Sequence, residues 1–377
     1  MLDFGDREID RPLGLGPRPP RGRDRRDKIR LVGVLAIGCA LLGLSVASAL
    51  HDDGLRSPQP VVVATPVEEP PPDSATRPAG PSVTRVERSG EPDESGTVTF
   101  RDPASLSQSA LTAHLPDPEL TEPSDHGALP RRDADGRRPF DVYARPWSGT
   151  RGARITIVVG GLGLSQTGTQ RAIEVLPAEV TLAFAPAGNS LDRWMQNARR
   201  KGHELLMQVP MEPFDYPNVD PGRGTLTVSA DPAAFRDDLH WSLGRITNYT
   251  GIMNYMGARL MADQGAVREL MAELGQRGIG YLDDGSSARS LAGDEAQTSG
   301  VPFAAADVTI DTVRERGAIL EKLDEAERVA RATGSAIAIG AAFDVTVDAV
   351  TAWVGEARLR GIEIVGYSAL ATDPERR

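Results

Sequence analysis

From Arg154 to the C-terminus the chain alternates between short β-branched runs and helical patterns, and no other feature narrows its choice of fold as much. The spacing predicts strands at Ile155–Val159, Val180–Phe184, Glu204–Val209, Thr250–Asn254, Ile279–Leu282, Asp307–Ile310, Ala336–Ile339 and Ile362–Val365. Helices are predicted over Gln166–Leu176, Leu191–Lys201, Pro232–Ile246, Gln264–Arg277, Arg314–Thr333 and Val345–Arg360. This alternation builds βα units around a parallel sheet. Seven or eight such units within residues 151–377 favour an α/β fold of the distorted (β/α) barrel type, with seven to eight parallel strands, over an open doubly wound sheet. In both architectures ligands gather at the C-terminal ends of the strands.

Upstream of residue 151 the composition changes. Sixteen of the 29 prolines fall between residues 51 and 150, among Ser, Asp, Glu and Arg, with no sustained period of 3.6 or 2. Such a stretch buries too little apolar surface to offset the entropy of ordering, and reads as a disordered linker over 51–150. Residues 1–30 form a basic segment, with seven Lys and Arg between Arg18 and Arg30. A charge-free run, Leu31 to Leu50, follows, and its length matches the apolar core of a bilayer. Basic residues on its N-terminal side predict that they stay in the cytoplasm and that everything after residue 50 is exported. The expectation is an inner-membrane anchor at 31–50 with the domain in the periplasm. Ala47-Ser48-Ala49 offers the alternative of cleavage after Ala49 and release into the periplasm.

The net charge of −11 argues against a nucleic-acid partner, because phosphate neutralisation needs a surplus of cations. Cys39, the single cysteine, excludes an intramolecular disulfide framework and any multi-cysteine metal site. It reads as a cysteine inside the apolar run.

The strand ends carry Gly160-Gly161-Leu162-Gly163, Pro210-Met211-Glu212-Pro213, Asn254-Tyr255-Met256-Gly257, Asp283-Asp284-Gly285, Asp311 and Gly340-Ala341-Ala342. In order and spacing, with GHELLMQVPMEP at 202–213, Leu282-Asp283 and AIAIG at 336–340, these stretches resemble the divergent polysaccharide deacetylase family across 154–370. The resemblance implies a distorted βα-barrel of the glycoside hydrolase/deacetylase type. It also implies hydrolytic removal of acetyl groups from a polysaccharide, with an Asp and two His holding a zinc-like ion that activates water.

Against that family pattern, Gly160-Gly161 stand in place of an Asp-Asp pair, Tyr255 in place of a His, and Ala341-Ala342 in place of His-Pro. Glycine and alanine carry no donor atom, and a phenol with a pKa near ~10 is a poor ligand beside imidazole. The domain has only two histidines. His203 precedes its strand, on the side away from the expected site, and His240 lies beside the Phe235, Leu239, Leu243, Ile246 stripe. No metal ligand and no cofactor are therefore expected, the family's divalent ion having lost its ligands. The carboxylates left at the strand ends, Glu212, Asp283, Asp284 and Asp311, make an all-oxygen set suited to Mg²⁺ or Ca²⁺ if to any ion. For Asp283-Asp284-Gly285, plain turn chemistry is an equal alternative.

Gly160 to Gly163 lack the third glycine of a dinucleotide-binding loop, since Gln166 stands there. They read as a pocket floor. If catalysis survives, Asp283, Asp311 and Glu212 are the candidates to carry it; Asn254, Tyr255, Asp284, Phe214, Gly160 and Gly161 are the candidate substrate contacts. The expected partner is a polysaccharide or peptidoglycan-type glycan. The favoured role is a catalytically impaired glycan-binding or scaffolding module of the envelope. A hydrolase with a rearranged carboxylate site and a protein-partner module are the alternatives, the latter requiring an exposed apolar patch away from a lined groove.

Overall fold

The computed structural model describes residues 108–109 and 111–376. A curled, mostly parallel sheet forms the centre: β3 (Arg154–Leu162), β4 (Thr181–Phe184), β5 (Leu205–Met211), β6 (Gly251–Met256), β7 (Gly280–Asp283), β8 (Phe303–Ala305), β9 (Val308–Thr309), β10 (Ser335–Ala341) and β11 (Glu363–Ile364). Its order is β8-β7-β6-β5-β4-β3-β10-β9, with β11 alongside the start of β3. The helices α2 (Gln166–Val175), α3 (Leu191–Lys201), α4 (Pro232–Leu243), α5 (Gln264–Arg277), α6 (Ala292–Thr298), α7 (Arg316–Thr333) and α8 (Asp344–Leu359) connect the strands. The two ends of the ladder, β8 and β9, are consecutive in the chain, yet each pairs with a different neighbour, β7 and β10. The closed barrel expected from the alternation is thus only partly formed. The sheet is a curled half-barrel, its edges joined by the chain rather than by hydrogen bonds.

Strand alternation sorts the core into two layers. Ile155, Ile157, Leu182, Leu205, Met207 and Ile252 face the helices. Val158, Ala183, Leu206, Met253, Leu282 and Ile339 fill the concave interior, where Phe140 and Tyr367 join them.

Phe140 belongs to a segment that the sequence reading assigned to the linker, and here the structure corrects it. Residues 111–150 are ordered against the sheet, with a hairpin of β1 (Thr121–Ser124) and β2 (Gly127–Pro130) and a single helical turn, α1 (Pro139–Val142). Few apolar residues hold this strap, but Leu120, Leu129, Phe140, Val142 and Tyr143 are all buried. The rest is done by charge. The guanidinium of Arg138, 4% exposed, lies 2.7 Å from Asp141 and 2.5 Å from Asp373 at their nearest atoms, tying the strap to the C-terminal segment.

The Gly202-His203-Glu204 motif works at this same end. Gly202 caps α3 with φ +95°, a left-handed turn that a side chain would strain. His203 is fully buried, and its Nδ1–H donates to the Val180 carbonyl at 2.8 Å. Burial pushes its pKa down, so the ring stays neutral. Glu204 accepts from the Arg145 and Ser368 N–H groups and the Ser368 hydroxyl, while burial pushes its pKa up. Among the described residues no helix is long and apolar enough to cross a membrane. The run at 31–50 and the linker up to residue 107 lie outside the described residues.

Candidate functional site

The C-terminal end of β3 carries Gly160 and Gly161, and the β3–β4 ladder slips by one residue between Val159 and Leu162. Gly161 sits in that bulge with φ +77°, a conformation open to glycine without steric cost. A Cβ there would meet nothing within 4 Å, so backbone geometry rather than crowding requires the glycine. Gly160 differs. A Cβ on it would lie 3.1 Å from both the Nε2 and Oε1 of Gln208, a residue of β5 whose Oε1 accepts the Gly161 N–H at 2.9 Å.

The neighbouring strand ends are held by polar braces. Asn254 is fully buried; its Nδ2 donates to the Met256 carbonyl at 2.7 Å, and its Oδ1 accepts the Asp284 N–H at 2.8 Å. Asp283 is 3% exposed, accepting from the Gly285 N–H at 2.9 Å and the Ser290 hydroxyl at 2.5 Å. Asp284 accepts the Ser286 N–H at 2.8 Å. Burial pushes its pKa up, the Asp283 charge adds to this, and the Ser286 and Asn254 hydrogen bonds oppose it. Asp311 bridges β10 to α8, accepting the Ala341 N–H at 2.7 Å and the Thr346 hydroxyl at 3.0 Å. Glu212 is buried between the Val228 N–H and the Arg259 guanidinium, each at 2.7 Å.

Each of these carboxylates is engaged with a neighbouring loop or helix. Among the described residues no three His, Cys, Asp or Glu side chains come together to hold a metal ion. The all-oxygen set considered from the sequence is therefore not assembled. The divalent ion implied by the resemblance does not fit here either. Gly160, Gly161 and Ala341 offer no donor, and the amide of Gln208 lies where a side chain on residue 160 would project.

The rim of this end carries exposed apolar side chains among charged ones. Tyr255 at the end of β6 is 42% exposed and Phe214 after β5 is 58% exposed. Leu164, Val219 and Val313, on other loops of the same end, are exposed as well. Tyr255 pairs in register with Pro210 across the β5–β6 ladder, so it and Phe214 rise from adjacent strands. Gln208, Arg259, Ser290 and Thr346 are site residues that the sequence reading missed. Gln208 had a signal: it is the lone polar residue in the run Leu205–Met211 and shares strand parity with the inward-facing Leu206.

The solved structure of protein ATU2773 from Agrobacterium tumefaciens is 55% identical to the chain, with a TM-score of 0.64, covering 65% of this chain and 99% of that one. A protein of Haemophilus influenzae is 28% identical over 188 residues, 50% of this chain and 66% of its own length, so the match spans just under two thirds of that relative. Protein YibQ of Escherichia coli is 22% identical over 222 residues, 59% of this chain and 68% of its own. The family described as divergent polysaccharide deacetylase matches residues 157–371, which hold the curled sheet apart from the first three residues of β3. The chain belongs to the divergent polysaccharide deacetylase family.

Proposed function

We propose that this domain is a glycan-binding or scaffolding module of the cell envelope that keeps the deacetylase cleft without its metal chemistry. The observation that carries this reading is the chemistry of the strand ends, where the positions available to ligate an ion present glycine, alanine and a glutamine amide. Asp283, Asp311 and Glu212, the side chains that a rearranged hydrolase would use, are each committed to two hydrogen bonds or ion pairs with neighbouring segments. The exposed rings of Phe214 and Tyr255 suit the apolar faces of sugar rings, and the polar side chains of the same strand ends, Gln208 and Arg259, suit hydroxyl and amide groups. A polysaccharide or peptidoglycan-type glycan is the ligand class. The segment 31–50 would anchor the chain in the inner membrane, with the domain in the periplasm.

The test pairs elemental analysis of the purified full chain with co-sedimentation on purified peptidoglycan and an acetate-release assay on an N-acetylated polysaccharide. The expected result is no stoichiometric metal, saturable binding and no acetate. Acetate release that disappears in Asp283→Ala would replace the binding reading with the hydrolase one.

A further inference from the structure

Gln208 is the one polar side chain of β5 between Leu205 and Met211, half-buried in the concave face directly below the rim. Its amide orientation follows from its neighbour. The Gly161 N–H is a donor, so the atom 2.9 Å away must be the carbonyl oxygen Oε1, which leaves Nε2 as the other end. Among the described residues no protein acceptor takes the Nε2 hydrogens. The same amide holds the space above Gly160, with its nitrogen and oxygen 3.1 Å from where a Cβ would be, and its Cδ at 3.3 Å. These distances are tighter than ordinary van der Waals contact, so a Cβ there would need the amide to give by a few tenths of an ångström while it holds Gly161.

We propose that Gln208 is a ligand-contacting residue and forms the floor of the cleft: its carbonyl oxygen pins the β3 bulge through Gly161, its amide crowds a side chain at position 160, and its Nε2 donates to an oxygen of the bound ligand. The chemical class this suits is an oxygen acceptor, such as a hydroxyl or amide carbonyl carried by a sugar ring that lies against Tyr255. This rests on the glycan-binding reading as regards the ligand, while the interlock with Gly160 stands apart from it.

The interlock is read by thermal denaturation of four versions of the full chain: wild type, Gly160→Ala, Gln208→Ala and the double variant. Gly160→Ala lowers Tm in the Gln208 background and leaves it nearly unchanged in the Gln208→Ala background. An equal fall in both backgrounds overturns the interlock. The donor role is read by titrating a soluble N-acetylglucosamine tetramer against wild type, Gln208→Ala and Gln208→Glu. The glutamate keeps an acceptor for Gly161 and removes the donor, so it should hold Tm while weakening binding roughly threefold to tenfold, the effect of one neutral hydrogen bond. Unchanged affinity in both variants overturns the donor role. A wild-type chain that does not bind the tetramer removes the glycan contact assigned to Gln208, and the denaturation cycle still decides its place beside Gly160.

Discussion

Replacing Arg138 with alanine tests how the strap before β3 is held. The guanidinium donates to Asp141 at 2.7 and 3.0 Å, to Asp373 at 2.5 and 3.1 Å, and to Glu375 at 3.1 Å. With Asp141 and Asp373 side chains only 9% and 4% exposed, water cannot take its place. Removing one partner of a buried pair costs about 3–5 kcal/mol. Arg376 remains beside both carboxylates, so the lower part of that range, about 3–4 kcal/mol, is expected. In a domain of this size that is a fall in Tm of about 6–16 °C. Acid should shrink the difference. Burial acts to raise the Asp141 pKa, but Arg138 and Arg376 outweigh it and hold the carboxyl below its usual value. A depressed carboxylate stabilises above its unfolded pKa of about 3.9, and that stability is lost as pH falls through the folded value. Calorimetry at neutral pH and again below about pH 4 measures both effects. A Tm within about 2 °C of wild type at neutral pH, or a gap that widens in acid, would refute the argument.

Three further outcomes are expected. A chain started at residue 151 should lack cooperative unfolding, whereas one started at residue 108 keeps Phe140 and Arg138 and melts as a single transition in circular dichroism. Gly161→Ala forces a side chain into the φ +77° bulge and should cost about 1–2 kcal/mol in a urea titration, despite the open space around it. The hydrogen bond from His240, helped by Arg277, brings the Glu273 pKa down to about 2, so this carboxylate stabilises the fold above its unfolded pKa of about 4.3 and the contribution is lost as pH falls toward 2. Glu273→Gln should therefore flatten the stability profile between those two values, and an unchanged acid limb would remove Glu273 from the account.

The sheet was legible because its strands are short, β-branched and separated by helices with strong signals. Leu191–Lys201 and Gln264–Arg277 have the same bounds in the sequence reading and in the structure. What escaped had no period to read. Phe303–Ala305 lies in the alanine-rich run FAAADVT, and only its pairing with β7 makes it a strand. The strap escaped for another reason: its composition is that of a linker, and it is ordered by a buried arginine and a few scattered rings, which no local pattern announces. At the site, the lack of a donor atom at Gly160, Gly161 and Ala341 and the phenol at Tyr255 could be read directly, since the identity of a residue fixes its donor atoms. The tasks of Asn254, Asp283 and Asp311 could not, because a carboxylate that braces a loop and one that faces a ligand have the same letter in the sequence. Plain turn chemistry at Asp283-Asp284-Gly285 describes the Gly285 N–H bond to Asp283 and the Ser286 N–H bond to Asp284.

The position of the strap also fixes its relation to the aromatic strand ends. The first described residues are held near the starts of the strands: the Gln108 N–H donates to Val142, and the Ala113 carbonyl accepts from Asn248 and Arg199. Asn248 precedes β6 and Arg199 precedes β5, whereas Phe214 and Tyr255 stand at the far ends of those strands. The chain thus enters the domain at one pole and presents its aromatic rim at the other. A glycan bound as proposed would meet the rim at the pole opposite the strap, whose Arg138 ion pairs and Glu204 hydrogen bonds lie at the strand starts.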